Sequence, residues 1–143
     1  MHYYKLFDHT ADIGVEISGW TKQDLFANAA SAVFDILIEN RENKTAKAID
    51  KRQKTLTVEG TDVEDLLINF LRELLSLFNG EGWVVSCCEI LECDNKRLKA
   101  RLMGEPYSKK KHLIKTEIKA VTYYGLKVDK VKADWKARII FDV

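Results

Sequence analysis

Proline is nearly absent from this chain, with Pro106 the single example, so no proline-rich linker separates domains and one domain is expected over residues 1–143. No run of about 18 apolar residues occurs, which excludes a membrane-spanning helix. The opening MHYYKLFD lacks the charged-then-apolar layout of a secretory signal, and a cytoplasmic protein with no membrane partner is expected. No charge sign dominates: 23 basic residues against 22 acidic leave a net charge of +1. Global electrostatic attraction to nucleic acid or lipid is thereby excluded, and any charged recognition must be local. Cysteine is also scarce. Cys87, Cys88 and Cys93 are odd in number, crowd into one strand-like stretch and lack the paired spacing of a zinc site, so they read as reduced, mostly buried thiols.

What the chain does have is apolar periodicity, with hydrophobic residues making up 46% of a length that supports a sizeable core. Residues 3–7 and 14–19 read as short strands flanking the polar segment FDHTADIG. Thr21 stands at a helix N-cap, followed by Leu25, Phe26, Ala29, Ala30, Val33, Ile36 and Leu37 at helical spacing to about Ile38. Residues 39–53 read as a surface connection, and KTLTVEG as a strand. Thr61 or Asp62 caps a second helix whose Val63, Leu66, Leu67, Phe70, Leu71, Leu74, Leu75 and Phe78 form one stripe, ending at Asn79-Gly80. That stripe is core, to be covered by the sheet.

Strand patterns follow at 83–92 and 96–103, joined by a turn at Asp94-Asn95. A Gly104-Glu105-Pro106 turn, a lysine-rich loop, a strand near 115–128 and a last strand from about 133 complete the chain. No internal repeat stands out. The class expected is α+β: a sandwich of a mostly antiparallel or mixed sheet with two long helices.

Chemistry concentrates at two distant places. In an extended terminal strand, Trp135, Ala137, Ile139, Phe141 and Val143 share one face, which puts Asp142 on the other with Lys136, Arg138 and Ile140. If the chain ends at Val143, Asp142 lies beside a terminal carboxylate, and Asp12 of the opening segment could join them. Three clustered carboxylates repel unless a cation sits between them, and oxygen-only ligation favours Ca²⁺, Mg²⁺ or Mn²⁺ over zinc. Spacing alone favours the blander alternatives, an Asx-turn or loop-capping role for Asp12 and an exposed terminal acid at Asp142. His9 reads either as a general base or, preferred, as a hydrogen-bonding partner that orders the opening turn or a metal-bound aspartate. His112 sits beside lysines, where it could simply be solvated. Residues 109–136 hold nine lysines against three acids, either a patch for RNA, phosphate or an acidic protein, or a solvated strand face.

FDHTADIGVEISG, TKQDLFANAASAVFDIL, GTDVEDLLINFLRELL, GEPY with His112 beyond it, KAVTYYGLKV and the closing IIFDV, in this order, resemble the archease family over nearly the whole chain. These are small proteins that assist an RNA-splicing ligase. The resemblance implies that Asp12, Asp142 and the Val143 carboxylate hold a divalent ion, usually Ca²⁺, and that Lys119 is functionally important. Its SKKK stretch departs from the more acidic loop of many relatives. The resemblance further implies a non-enzymatic accessory protein of an RtcB-type RNA ligase in tRNA splicing, which promotes guanylylation and multiple turnover. His9, His112 and Lys119 would then stand behind the metal or touch phosphate or the partner. The alternatives are a chaperone or specificity factor for an RNA-modifying enzyme such as a tRNA methyltransferase, with tRNA itself a further partner, and a metal-dependent hydrolase with His9 as base.

Overall fold

The computed structural model describes residues 4–9, 12–39 and 52–143, with backbone alone for 7–9. Most of the expected 39–53 connection therefore lies outside the described residues. In chain order the elements are β1 (Tyr4–His9), β2 (Asp12–Gly19), α1 (Lys22–Leu37), β3 (Arg52–Glu59), α2 (Val63–Glu81), β4 (Trp83–Cys93), β5 (Arg97–Pro106), β6 (Ala120–Val131) and β7 (Asp134–Asp142). The α+β class holds, with the strands divided between two antiparallel sheets, ordered β1-β2-β7-β6 and β3-β5-β4.

The helices lie between the sheets: α1 packs on β2 and β4, and α2 on β6, β3 and β4. Burial on both sides explains the composition of α1, where Leu25, Phe26, Ala29, Ala30, Ala32, Val33, Phe34, Ile36 and Leu37 are all buried. A helix apolar this far around its circumference must be covered on both sides. Phe26 and Phe70 meet with ring centroids 5.9 Å apart and join the two helices. Each is fully buried, which contributes about 1.5–3 kcal/mol before chain entropy is subtracted.

Both helices start as the sequence indicates. The Thr21 hydroxyl accepts from Asp24 N at 3.0 Å, and of the two candidates for α2 it is Asp62 that caps, accepting from Asp65 N at 2.8 Å. The end of α2 lies later than expected. Gly80 is helical, and Gly82 at φ 68° takes the left-handed position that closes the helix.

A repeat that the linear sequence conceals becomes visible here. Gly19, Thr21, Asp24, Leu25 and Asn28 recur as Gly60, Asp62, Asp65, Leu66 and Asn69. In both copies the glycine lets the strand end pass against the helix backbone, and the asparagine amide donates to the carbonyl before the glycine, Asn28 to Ser18 at 2.7 Å and Asn69 to Glu59 at 2.9 Å.

Other boundaries move for reasons of pairing. The strands flanking the opening segment reach further into it than expected, pairing as far as His9↔Asp12, while Thr10 and Ala11 lie outside the described residues. Gly104-Glu105-Pro106 is not a turn: it ends the central strand β5, with Gly104 paired to both Arg52 and Val85. The strand expected from 115 starts at Ala120. Before it, the chain is strapped to the end of α1, where Glu39 N donates to Leu113 O at 2.9 Å and Lys115 N to Leu37 O at 2.8 Å.

The β4–β5 turn is as expected, and the Asp94 carboxylate accepts from Lys96 N and Arg97 N. The cysteines are free thiols, but not mostly buried: Cys87 is exposed, and Cys88 and Cys93 are partly covered. Alternation on the outer sheet turns Cys87 to solvent, while burial pushes the Cys88 thiol up to about 12.

Candidate functional site

The register of the four-stranded sheet sets one row of residues across it. His9 lies opposite Asp12, Asp12 opposite Asp142, and Asp142 opposite Ala120. Directly opposed residues on antiparallel strands project to the same face, with Cβ atoms about 5 Å apart. Asp12 and Asp142 are thus brought together, although most of the sequence separates them. Both are half-buried, as is Val143, which packs against the core. The His9 side chain lies outside the described residues.

The next row, Gly14, Ile140 and Thr122, is more enclosed. Ile140 belongs to the outer face by alternation, yet it is buried. The cause is an irregularity of β6 between Thr122 and Lys127, where Gly125, at φ 71°, packs over Ile140. Thr122 Oγ1 is, among the described residues, the one buried side-chain polar atom without a hydrogen-bond partner. A hydroxyl orphaned one row from two carboxylates marks the place as unusual, since buried polar atoms are ordinarily paired. Sequence reasoning missed Thr122, although it stands in the KAVTY segment.

Lys119 sits just before β6. Its backbone N–H donates to Asp142 O at 2.7 Å, so its peptide adjoins the acid row. Lys119 also lines a cleft between α2 and the start of β6, together with Arg72, Ser76, Asn79, Ala120 and Val121. The Lys119 peptide thus adjoins the acid row, while the residue also borders the cleft against α2.

The expectation for His112 is corrected. Neither solvated nor open to a partner, it is buried, with Nδ1 accepting from Ser108 N at 2.9 Å. Nε2 must then carry the proton, which it donates to Glu105 Oε1 at 3.0 Å. Lys111 reaches the other Glu105 oxygen at 3.2 Å, and Tyr107 stacks on the imidazole. His112 holds the lysine-rich loop to the end of β5.

The Archease protein family model matches residues 4–143. This chain belongs to the archease family. Among curated archeases, that of Pyrococcus abyssi is 37% identical over 147 residues, covering 100% of both chains. That of Methanosarcina mazei is 35% identical, over 98% of this chain and 95% of the relative. The solution structure of Methanobacterium thermoautotrophicum protein 1598 superposes with a TM-score of 0.75 at 29% identity, covering 100% of each chain. A Thermotoga maritima crystal structure, named there as an archease and possible chaperone, shares the fold with a TM-score of 0.61 at 24% identity, over 100% of this chain and 99% of that one.

Among the described side chains of this row, Asp12 and Asp142 offer oxygen donors, the kind that suits a hard cation. Among the described residues no group of three or more His, Cys, Asp or Glu side chains gathers as a metal cage. Further donors would have to be of another kind, such as a hydroxyl or an α-carboxylate. The lysine-rich stretch divides into different surroundings. Lys127 pairs with Asp129 at 3.3 Å, and Lys130 lies over the Trp135 ring, while Lys119 faces its cleft. No helix among the described residues is long and apolar enough to cross a membrane.

Proposed function

We propose that this archease-family protein binds a divalent cation, Ca²⁺ by preference with Mg²⁺ or Mn²⁺ as alternatives, and activates an RtcB-type RNA ligase of tRNA splicing in the cytoplasm. The observation that carries the reading is the pairing of Asp12 with Asp142, one residue before Val143. Asp12 and Asp142 would supply two carboxylates, and Val143 an α-carboxylate, as the family resemblance implies. The unpartnered Thr122 hydroxyl one row away is a further oxygen available to an ion or its water. When bound, the cation offsets the repulsion between the carboxylates and holds the β2–β7–β6 junction in one arrangement.

The chain's own residues then act by position. Asp12 and Asp142 tie the opening hairpin to β7, and the Lys119 peptide ties the start of β6 to the same point. A ligase that docks there meets a fixed surface, and the covalent chemistry, transfer of GMP from GTP to a ligase histidine, belongs to the partner. The reading is tested by GMP loading of a cognate ligase with GTP and metal, with and without this protein. Wild type raises the yield and turnover, and Asp12→Ala does not. A wild type without effect removes the proposal. If the protein instead suppresses aggregation of an RNA-modifying enzyme, equally well as Asp12→Ala and Asp142→Ala, the chaperone reading replaces it.

A further inference from the structure

We propose that the cleft between α2 and the start of β6 is a binding site for a phosphate monoester or polyphosphate group, held by Arg72 and Lys119. The cleft has a volume of about 270 Å³ and is lined by Arg72, Ser76, Asn79 and Lys119, with Leu75 and Val121 among its apolar walls. Two cationic residues, a serine and an asparagine thus border one space that, among the described residues, no carboxylate lines. Neither Arg72 nor Lys119 has a carboxylate partner among the described residues. Surface cations ordinarily have solvent on every side; here they share one concavity.

The cations are also positioned. The Arg72 guanidinium lies 5.0 Å from the centre of the Tyr123 ring. Tyr123 in turn donates its hydroxyl to Asp65 Oδ1 at 2.6 Å, and the other Asp65 oxygen accepts from Thr61 N at 2.9 Å. Arg72 therefore rests on a ring that is itself fastened to the first turn of α2. The hydrogen bond to Asp65 pushes the Tyr123 phenol up from its ordinary value, so the ring under Arg72 stays neutral at physiological pH. The Lys119 backbone is anchored by its bond to Asp142 O, so its flexible side chain starts from a fixed point. A planar fork and a mobile point charge, with two neutral donors beside them, match the acceptor oxygens of a phosphoryl group.

Size and lining narrow the ligand. Pockets for whole drug-sized molecules start at about 300 Å³, so this cleft takes a phosphate end and not a complete nucleotide. Among the described residues no aromatic ring lines the cleft, so its walls offer no platform for a base. The group bound is the terminal or polyphosphate part of its carrier, a free nucleotide or an RNA end. The inference goes beyond the cation reading, and a titration in the absence of metal lets each fail without the other.

The test is a titration of the full chain in EDTA at low salt, followed by amide chemical shifts and calorimetry. The probes are pyrophosphate, GTP, and one oligoribonucleotide with and without a 3′-phosphate. Pyrophosphate should move the amides of Ser76, Asn79, Lys119 and Ala120. Lys119→Gln and Arg72→Gln should each weaken it about tenfold, while Lys119→Arg retains binding and Arg101→Gln, on the other sheet, has no effect. Tighter binding of GTP than of pyrophosphate identifies a nucleotide as the source; dependence on the 3′-phosphate identifies an RNA end. Unmoved cleft amides at millimolar pyrophosphate, or equal affinity in Lys119→Gln, overturn the proposal. If Arg72→Gln loses its fold, the exposed Lys119→Gln decides alone.

Discussion

Replacing Asp12 by Asn should change the sign of its effect on stability according to whether a divalent ion is present. Asp12 and Asp142 are register partners, which sets their Cβ atoms about 5 Å apart. Two unit charges at that separation repel by about 0.8 kcal/mol in the dielectric of water and about 3 kcal/mol at an effective dielectric of 20. Both residues are half-buried, and like charges directly opposed in sheets cost up to about 1 kcal/mol. Asparagine keeps the shape and one acceptor oxygen while removing the charge. In EDTA the variant should therefore be the more stable by about 1 kcal/mol, or about 3 °C in Tm for a chain of this size. In Ca²⁺ at about 100 times Kd the wild type gains about 2.7 kcal/mol, most of which the variant forgoes. The order reverses, with wild type ahead by about 1–2 kcal/mol. Scanning calorimetry of both proteins in EDTA and across a Ca²⁺ titration reads the crossing. A constant difference between them in every condition would refute the shared cation, whatever happened to ligase activation.

Two further outcomes follow from local geometry. Gly60→Ala should destabilise by about 1–3 kcal/mol, because its Cβ would lie 2.5 Å from Leu66 N; Gly80→Ala, with nothing within 4 Å of its Cβ, should stabilise by up to about 1 kcal/mol. Urea midpoints at equal m distinguish the two, and matching shifts would contradict the close passage of strand and helix. Asp94 is held below its ordinary value of 3.8, first by the backbone N–H of Lys96 and then by that of Arg97. A depressed folded value means its contribution is present above that ordinary value and is lost as pH falls through the lower folded one. Asp94→Asn should flatten the acid side of the stability profile below about pH 4, and an unchanged slope in urea titrations would reject that assignment.

Local signals were well recorded in the sequence. Thr21, Asp62 and the leucine stripe of α2 fix the helices, since capping and periodicity act over a few residues. Between Gly80 and Gly82 the sequence offers two equivalent stops, and only the backbone sign at Gly82 decides. Gly104 and Pro106 carry turn chemistry, yet pairing from both sides keeps them in β5. The division into two sheets was legible in principle from the nearly all-round apolar circumference of α1, which a single sheet cannot cover. The meeting of Asp12 with Asp142 was not legible from spacing at all. Register between distant strands is set by side-chain fit along their whole length, and here the family resemblance supplied what the pattern of one strand could not.

The position of β6 at the edge of its sheet explains how separate pieces of chain come to form one surface. An edge strand leaves backbone groups unpaired on one side, the ordinary opening for a partner. At its start, the hydrogen bond from Lys119 N to Asp142 O ties the margin of the Lys119–Arg72 cleft to the carboxylate row. A partner gripping this edge would meet the Asp12–Asp142 pair and the Arg72–Lys119 cleft close together at one end of β6. Neither charge set lies within a single motif, because Asp12, Arg72, Lys119 and Asp142 come from four different elements or their margins. What unites them is the pairing of β2, β7 and β6 and the packing of α2 beneath β6. A change that loosens β7 therefore disturbs both sites together, whereas a change to Arg72 reaches only one.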